Sequence, residues 1–331
     1  MKYFCAPYVR AALLVPLIAS FTSPVRLRSI PHNSGRTAQT TESHLDEDSV
    51  QLTVTVTDKK GNYIGGLTRD AFTLYDKKVP QKINYFSAKD EPVSVGIILD
   101  FSMSVAGHGR ERLSGVRAAL LRFIQMGNSA NKYFVISFAN RPRLLIDWTD
   151  SRGALEGIGN ADHVPVEGTQ TALYDSCYLA IEKMRGRASS RRALLLVSDG
   201  QDSFSSYTFK DVREGLKESG VVLYSIGILG SNDAGSSLGL EGQAVMTELS
   251  SASGGVAVFP DDKRKINALF EQIAIELRNQ YLIGFTPSID QADGKWHQLK
   301  LKLTPPPNAP PSMSKLLVRS REGYYALKRV P

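Results

Sequence analysis

Apolar, β-branched runs that end at a polar residue and lead into a helical pattern constrain this chain's fold more than any other feature. Residues 93–100 read VSVGIILD, residues 191–200 read RRALLLVSDG, and residues 220–229 read GVVLYSIGIL. A strand apolar on both faces belongs in a parallel sheet covered by helices. Between these runs the period changes to 3.6. Residues 109–127 put Leu113, Val116, Leu120 and Phe123 on one face; residues 171–186 do the same with Leu173, Cys177, Ala180, Ile181 and Met184. Residues 265–280 form another such stripe from Ile266, Leu269, Phe270, Ile273 and Leu277. Shorter helices are expected over 151–158, 208–220 and 243–255, the last ending in glycines that suit a C-cap. Strands are expected over 132–140, 141–150 and 256–260. The alternation predicts an α/β domain, doubly wound around a mostly parallel, Rossmann-like sheet, over about residues 92–280.

The flanks follow a different period. Residues 50–58, VQLTVTVTD, alternate strictly, with Val50, Leu52, Val54 and Val56 on one face, as a half-buried strand does. The turn DKKGN follows, then short strands at 71–76 and 79–87. Residues 49–91 are thus expected to form a small β-domain, too small to bury a core alone. The C-terminal part, 281–331, returns to β pattern: YLIGFTP, then WHQLKLKL with Leu299, Leu301 and Leu303 opposite Lys300 and Lys302, then KLLVRSREGYYAL. These strands are expected to complete the sheet begun by 49–91. The proline-rich stretch 304–311 must be loop, because proline cannot donate to a ladder.

At the N-terminus, Lys2 and Arg10 precede the apolar run 11–21, which has the length of a signal h-region and is short for a membrane span. Residues 1–23 are therefore expected to be a signal peptide or an N-terminal anchor, and the polar stretch 24–48 a linker. The chain is expected to be exported: periplasmic, on the cell surface, or secreted. Of the two cysteines, Cys5 lies in that leader, so Cys177 has no internal disulfide partner and reads as a small buried hydrophobe. Net charge is +7, but the basic residues are scattered and no basic run is interleaved with aromatics, so nucleic-acid binding is not expected.

Three clusters of acids and hydroxyls fall where the strands end. They are Asp100, Ser102 and Ser104; Thr169 and Thr171 ahead of a helix; and Asp199 with Asp202. In doubly wound sheets, ligands bind at the carboxyl ends of the strands. Hydroxyls mixed with one or two carboxylates, without His or Cys, suit a hard divalent cation such as Mg²⁺. Taken singly, Asp100 also suits a strand-end turn and Ser102 a helix cap. The convergence of three clusters on one edge favours the metal.

Asp100-Phe101-Ser102-Met103-Ser104 matches D-x-S-x-S, and in this motif the chain resembles von Willebrand factor A-type domains. Thr171 in QTALYDS and Asp199 in LLLVSDG resemble that family's second and third motifs, in the same order. The likeness covers about 92–280, and the flanks are similar to those of exported bacterial VWFA-related proteins, frequent in acidobacteria. The resemblance implies a metal-ion-dependent adhesion site holding Mg²⁺ or Mn²⁺. Ser102, Ser104 and Thr171 would bind through hydroxyls with Asp100 and Asp199 nearby, and Thr169 is the alternative to Thr171. The implied partner is a protein that offers an acidic residue. One departure is Met103, where the family commonly has a small residue; a degenerate site on a structural scaffold is therefore the competing reading.

Other polar residues near the clusters have simpler explanations. Asp202 and Asp175 suit loop bracing or helix capping, His108 a solvent-facing loop, and the Lys300/Lys302 pair a solvated strand face. Trp148 and Trp296 suggest packing only. Enzymatic readings find little support: the chain has no nucleophile elbow, P-loop, HExxH or strand-borne GxGxxG, and no residue orients His108 as a base. A metal-dependent hydrolase is the weakest of the alternatives, and the chain is not expected to be an enzyme.

Overall fold

The structure, a computed structural model, describes residues 49–106, 110–160, 169–186, 189–229, 235–260, 262–288, 293–304 and 316–326. The leader, the linker and His108 lie outside these residues. No helix among them is long and apolar enough to cross a membrane.

The N-terminal strands are β1 (Val50–Thr57), β2 (Phe72–Asp76), β3 (Val79–Gln81) and β4 (Tyr85–Ser87). The α/β segment follows. Its elements are β5 (Ser94–Asp100), α1 (Met103–Ala106), α2 (Arg110–Met126), β6 (Lys132–Phe138), β7 (Pro142–Thr149), α3 (Ser151–Gly159), α4 (Leu173–Arg185), β8 (Arg192–Ser198), α5 (Phe209–Ser219), β9 (Val222–Gly227), α6 (Ser237–Ala252), β10 (Ala257–Val258) and α7 (Ile266–Arg278). The chain ends in β11 (Tyr281–Phe285), β12 (Trp296–Leu303), β13 (Leu317–Arg319) and β14 (Gly323–Tyr325).

The central sheet has the order β10-β9-β8-β5-β6-β7 and is parallel except for the edge hairpin of β6 with β7. Every residue of β5 is buried, as a two-faced apolar run requires. Successive side chains go to opposite faces: Val95, Ile97 and Leu99 join a core with α2, α3 and α7, while Ile98 joins one with α4, α5 and α6. Cys177 is buried in the second core with Leu173, Ala180, Ile181 and Met184, matching the helical stripe read from the sequence. Strand order reverses at β5, which has β6 on one side and β8 on the other. This reversal leaves a crevice at the carboxyl ends of β5 and β8, the ligand position of a doubly wound sheet.

The flanking strands form two four-stranded sheets, β13-β1-β11-β4 and β14-β12-β2-β3. Both contribute to one core, with Leu52, Val54, Tyr281, Ile283 and Phe285 from the first and Phe72, Leu74, Leu299 and Tyr324 from the second. N- and C-terminal strands thus complete each other, β1 pairing with β11 and β2 with β12. Two expectations need adjustment. The single strand read over 79–87 divides into β3 and β4, which pair in different sheets while Ile83 between them enters the shared core. Helix α6 begins at Ser237, well before residue 243, because Ser236 caps it by accepting the Gly239 N–H and its glycines serve close packing.

The β-sheets meet the α/β segment at the amino ends of the parallel strands. Glu276, in the last turn of α7, is buried there. It accepts from Thr55 Oγ1 at 2.8 Å, Tyr63 OH at 2.8 Å, Tyr224 OH at 2.7 Å and Arg319 Nη2 at 2.7 Å. Arg191, buried just before β8, donates to the carbonyl of Leu277, to that of Glu91 and to Gln280 Oε1. A buried carboxylate is tolerable when each lone pair has a donor and a guanidinium faces it.

Candidate metal site

Asp100 is the last residue of β5, and only 3% of its surface is exposed. Its Oδ1 accepts the backbone N–H of Ser102 at 2.9 Å, closing an Asx turn that halts the strand. Its Oδ2 accepts from Ser198 Oγ at 2.6 Å, and Ser198 Oγ in turn accepts the Gly200 N–H at 3.0 Å. Ser198 thus links β8 to the carboxylate of β5. The sequence reading missed it, although a hydroxyl ending an apolar strand beside Asp199 was available as a signal.

Asp199 is also buried, with its Oδ1 accepting the Gln201 N–H at 3.0 Å. Gly200 follows with φ +82°, a conformation natural to glycine. A Cβ there would lie 2.4 Å from the carbonyl oxygen of Gly242 on α6. The Gly200–Gly242 pair therefore lets α6 press against the backbone that presents Asp199.

Ser102 is buried and begins the turn into α1 by accepting the Val105 N–H. The side chain of Ser104 lies outside the described residues. Thr171 is buried at the N-terminus of α4, its N–H held by Ser203 Oγ at 2.9 Å and its carbonyl accepting from the N–H groups of Ser203 and Phe204. Ala172 N–H donates to the Ala139 carbonyl at 2.7 Å, which ties this turn to the end of β6, next to β5. Thr169, by contrast, is exposed.

The loop after Asp199 is clamped to α4. Asp202 Oδ1 accepts the Tyr174 N–H at 3.2 Å and Ser205 Oγ at 2.5 Å; Asp175 Oδ1 accepts the Ser206 and Tyr207 N–H groups, both at 2.8 Å. Asp202 and Asp175 thus brace the loop at a helix N-terminus, where carboxylates are favoured. Trp148 packs edge-on against Phe134, and Trp296 against Tyr325, in keeping with packing roles.

The electrostatics single out the Asp100–Asp199 pair. Burial, and after it the neighbouring Asp199 carboxylate, push Asp100 up to about 7, while hydrogen bonds from Ser102 and Ser198 oppose the rise. Among the described residues no lysine or arginine pairs with either carboxylate. No group of three His, Cys, Asp or Glu side chains forms a metal cage there either. Two buried carboxylates beside buried hydroxyls make an oxygen donor set of the kind a hard divalent ion requires.

A family model for the von Willebrand factor type A domain matches residues 94–272, more than half of the chain. The chain belongs to the von Willebrand factor type A domain family. The matched region runs from the start of β5 into α7 and contains every residue of the crevice described above.

Among solved structures, a von Willebrand factor type A protein from Catenulispora acidiphila is 11% identical with a TM-score of 0.46, covering 86% of this chain and 78% of its own. An aerotolerance-related membrane protein from Bacteroides fragilis is 19% identical with a TM-score of 0.44, covering 56% of this chain and 98% of its own. Proximal thread matrix protein 1 from the mussel byssus, with a zinc-occupied MIDAS motif, is 14% identical with a TM-score of 0.46. That likeness covers 57% of this chain and 48% of the mussel protein, so this chain spans about half of its length. The curated proteins contain no match.

Proposed function

We propose that this von Willebrand A-type domain is an exported binding module that captures an acidic group of a partner protein through a divalent cation, Mg²⁺ or Mn²⁺. The observation that carries the reading is the buried Asp100–Asp199 pair, set among the hydroxyls of Ser102, Ser198 and Thr171 at the strand-order reversal. Ser102, Ser104 and Thr171 would hold the ion through hydroxyls, with Asp100 and Asp199 on its protein side. A site with few charged ligands leaves the ion electrophilic enough to accept one more carboxylate.

The chain's own residues fit these roles. Ser198 and the Ser102 N–H fix both oxygens of Asp100, so the carboxylate cannot swing away. The Asp202 and Asp175 clamps hold Thr171 and the loop after Asp199 in register, and the turn into α1 presents Ser102. Met103 is exposed, so its side chain does not occupy the crevice, which favours a working site over a degenerate one. The work done is ligation, without turnover. Residues 49–91 and 281–331 form one β-domain into which 92–280 is inserted, a carrier that faces away from the site.

The test is thermal unfolding in EDTA and then in about 10 mM Mg²⁺ or Mn²⁺, for the wild type and Asp100→Ala. With a Kd near 0.1 mM, saturation contributes about 2.7 kcal/mol, a rise of roughly 5–10 °C for a domain of this size. A rise that Asp100→Ala abolishes supports the reading. No shift with either metal would refute it.

A further inference from the structure

Residues 1–41 contain no acid, yet Glu42, Asp46, Glu47 and Asp48 follow within the next seven residues, directly before β1. The run reads TESHLDEDS over 41–49 and places Leu45 against Asp46. We infer that this run is a ligand for the metal site of a second copy of the chain, joining molecules head to tail. The inference rests on the reading of the metal site above and names its partner.

The site favours an acid flanked by an apolar side chain. Met103 is 52% exposed and Phe204 is 54% exposed. Met103 follows Ser102, and the N–H of Phe204 bonds to the Thr171 carbonyl, so both border the crevice. Leu238 and Leu240, also exposed, lie in the first turn of α6, about 6 Å and 3 Å along the helix from Gly242, which packs on Asp199. Carboxylates surrounded by such a rim attract a mixed ligand. The cation takes the acid and the rim takes Leu45.

Chain geometry excludes the molecule's own run. The direction of β1 is set by its contacts: Thr55 touches Glu276, and beyond the strand's end Tyr63 OH donates to the Gln272 carbonyl, one turn higher on α7. The strand therefore runs toward the α/β segment, and Val50 is at its far end. From Thr55 back to Val50 is about 17 Å, and β5 carries Asp100 about 20 Å from the amino edge in the other direction. Asp46 is four residues before Val50 and can reach at most about 14 Å from it. That falls short of the roughly 20 Å that β5 alone adds beyond the amino edge. An interface between two different surfaces does not close on itself as a twofold contact does, so the product is an open chain of molecules.

Sedimentation of the full chain at about 50 µM in Mg²⁺ and in EDTA tests this, alongside the triple variant Asp46→Asn/Glu47→Gln/Asp48→Asn. The expected result is an average mass at least twice the monomer's in Mg²⁺, reverting in EDTA and absent in the triple variant. These substitutions precede β1 and leave the fold and the metal-dependent thermal shift in place. As a direct probe, the peptide TESHLDEDS is expected to bind the triple variant in Mg²⁺ and not in EDTA, while its amide counterpart TQSHLNQNS does not bind. A metal-dependent thermal shift with unchanged monomer mass and no peptide binding would overturn the inference and leave the metal site standing. Association that persists in EDTA or in the triple variant would also overturn it, and would point to the apolar run at 11–21. Absence of any metal response would remove both readings.

Discussion

Asp100 makes the metal-free protein sensitive to pH in a direction that can be worked out from its surroundings. In the unfolded chain it titrates at the ordinary carboxylate value of 3.8; in the fold, burial and Asp199 raise it to about 7. Between those values the native state holds a proton that the unfolded state has lost, so metal-free stability falls as pH rises through that window. At about 1.4 kcal/mol per unit, the difference of roughly three units is worth about 4 kcal/mol at pH 8. Asp100→Asn mimics the protonated acid and removes the repulsion with Asp199, while its amide oxygen still accepts the Ser102 N–H. In EDTA at pH 8 the variant should therefore be more stable than the wild type by about that amount, and the two should converge near pH 4. Urea unfolding with an m value of about 3 kcal/mol/M would place the midpoints more than 1 M apart at pH 8. In 10 mM Mg²⁺ the gap should narrow to about 1–2 kcal/mol, because the wild type alone gains the roughly 2.7 kcal/mol of metal binding. An Asp100→Asn variant less stable than the wild type at pH 8 in EDTA would show that no unbalanced pair exists.

Other perturbations test the supports of the site. Gly200→Ala would drive a Cβ into the Gly242 carbonyl and force a residue with φ +82° out of glycine's range; a loss of about 2–3 kcal/mol and of the metal-dependent thermal shift is expected. Glu276→Ala leaves the Arg319 guanidinium without its carboxylate and removes the acceptor of Thr55 and Tyr224 at the seam between the β-sheets and α7, and should cost about 3–5 kcal/mol in chemical unfolding. Lys77 and Lys78 form the β2–β3 turn with φ of 44° and 74°, values that asparagine tolerates better than lysine. Lys78→Asn should therefore raise the thermal midpoint by about 1–3 °C, and a fall would show that the lysine makes a contact worth more than the strain.

Much of this architecture could be read along the chain. Buried strands announce themselves as unbroken apolar runs, because both faces are covered, and amphipathic helices announce a single stripe. That is why β5, β8, α4 and α7 were legible, and why Cys177 could be recognised as a core residue. The acids and hydroxyls at strand ends were legible for the same reason: a polar residue ending an apolar run has to face an edge of the sheet. Helix α6 was harder to place, since Gly242 looks like a loop residue until Gly200 is seen against it.

What the sequence by itself determined is local: the period of each element, the polarity of each strand end, and the order of the three motifs. Tertiary structure alone decided which elements meet. It joined β1 to β11 across the whole inserted segment, and it divided one apparent strand between two sheets. It turned Ser198 toward Asp100, buried Glu276 among donors from four segments, and buried Thr171 while leaving Thr169 exposed. These facts depend on pairing across long separations, where the free energy lies in contacts between faces and no single stretch of chain carries the signal. The repulsion between Asp100 and Asp199 belongs to the same class, since two carboxylates ninety-nine residues apart acquire a common chemistry only when two adjacent strands end side by side.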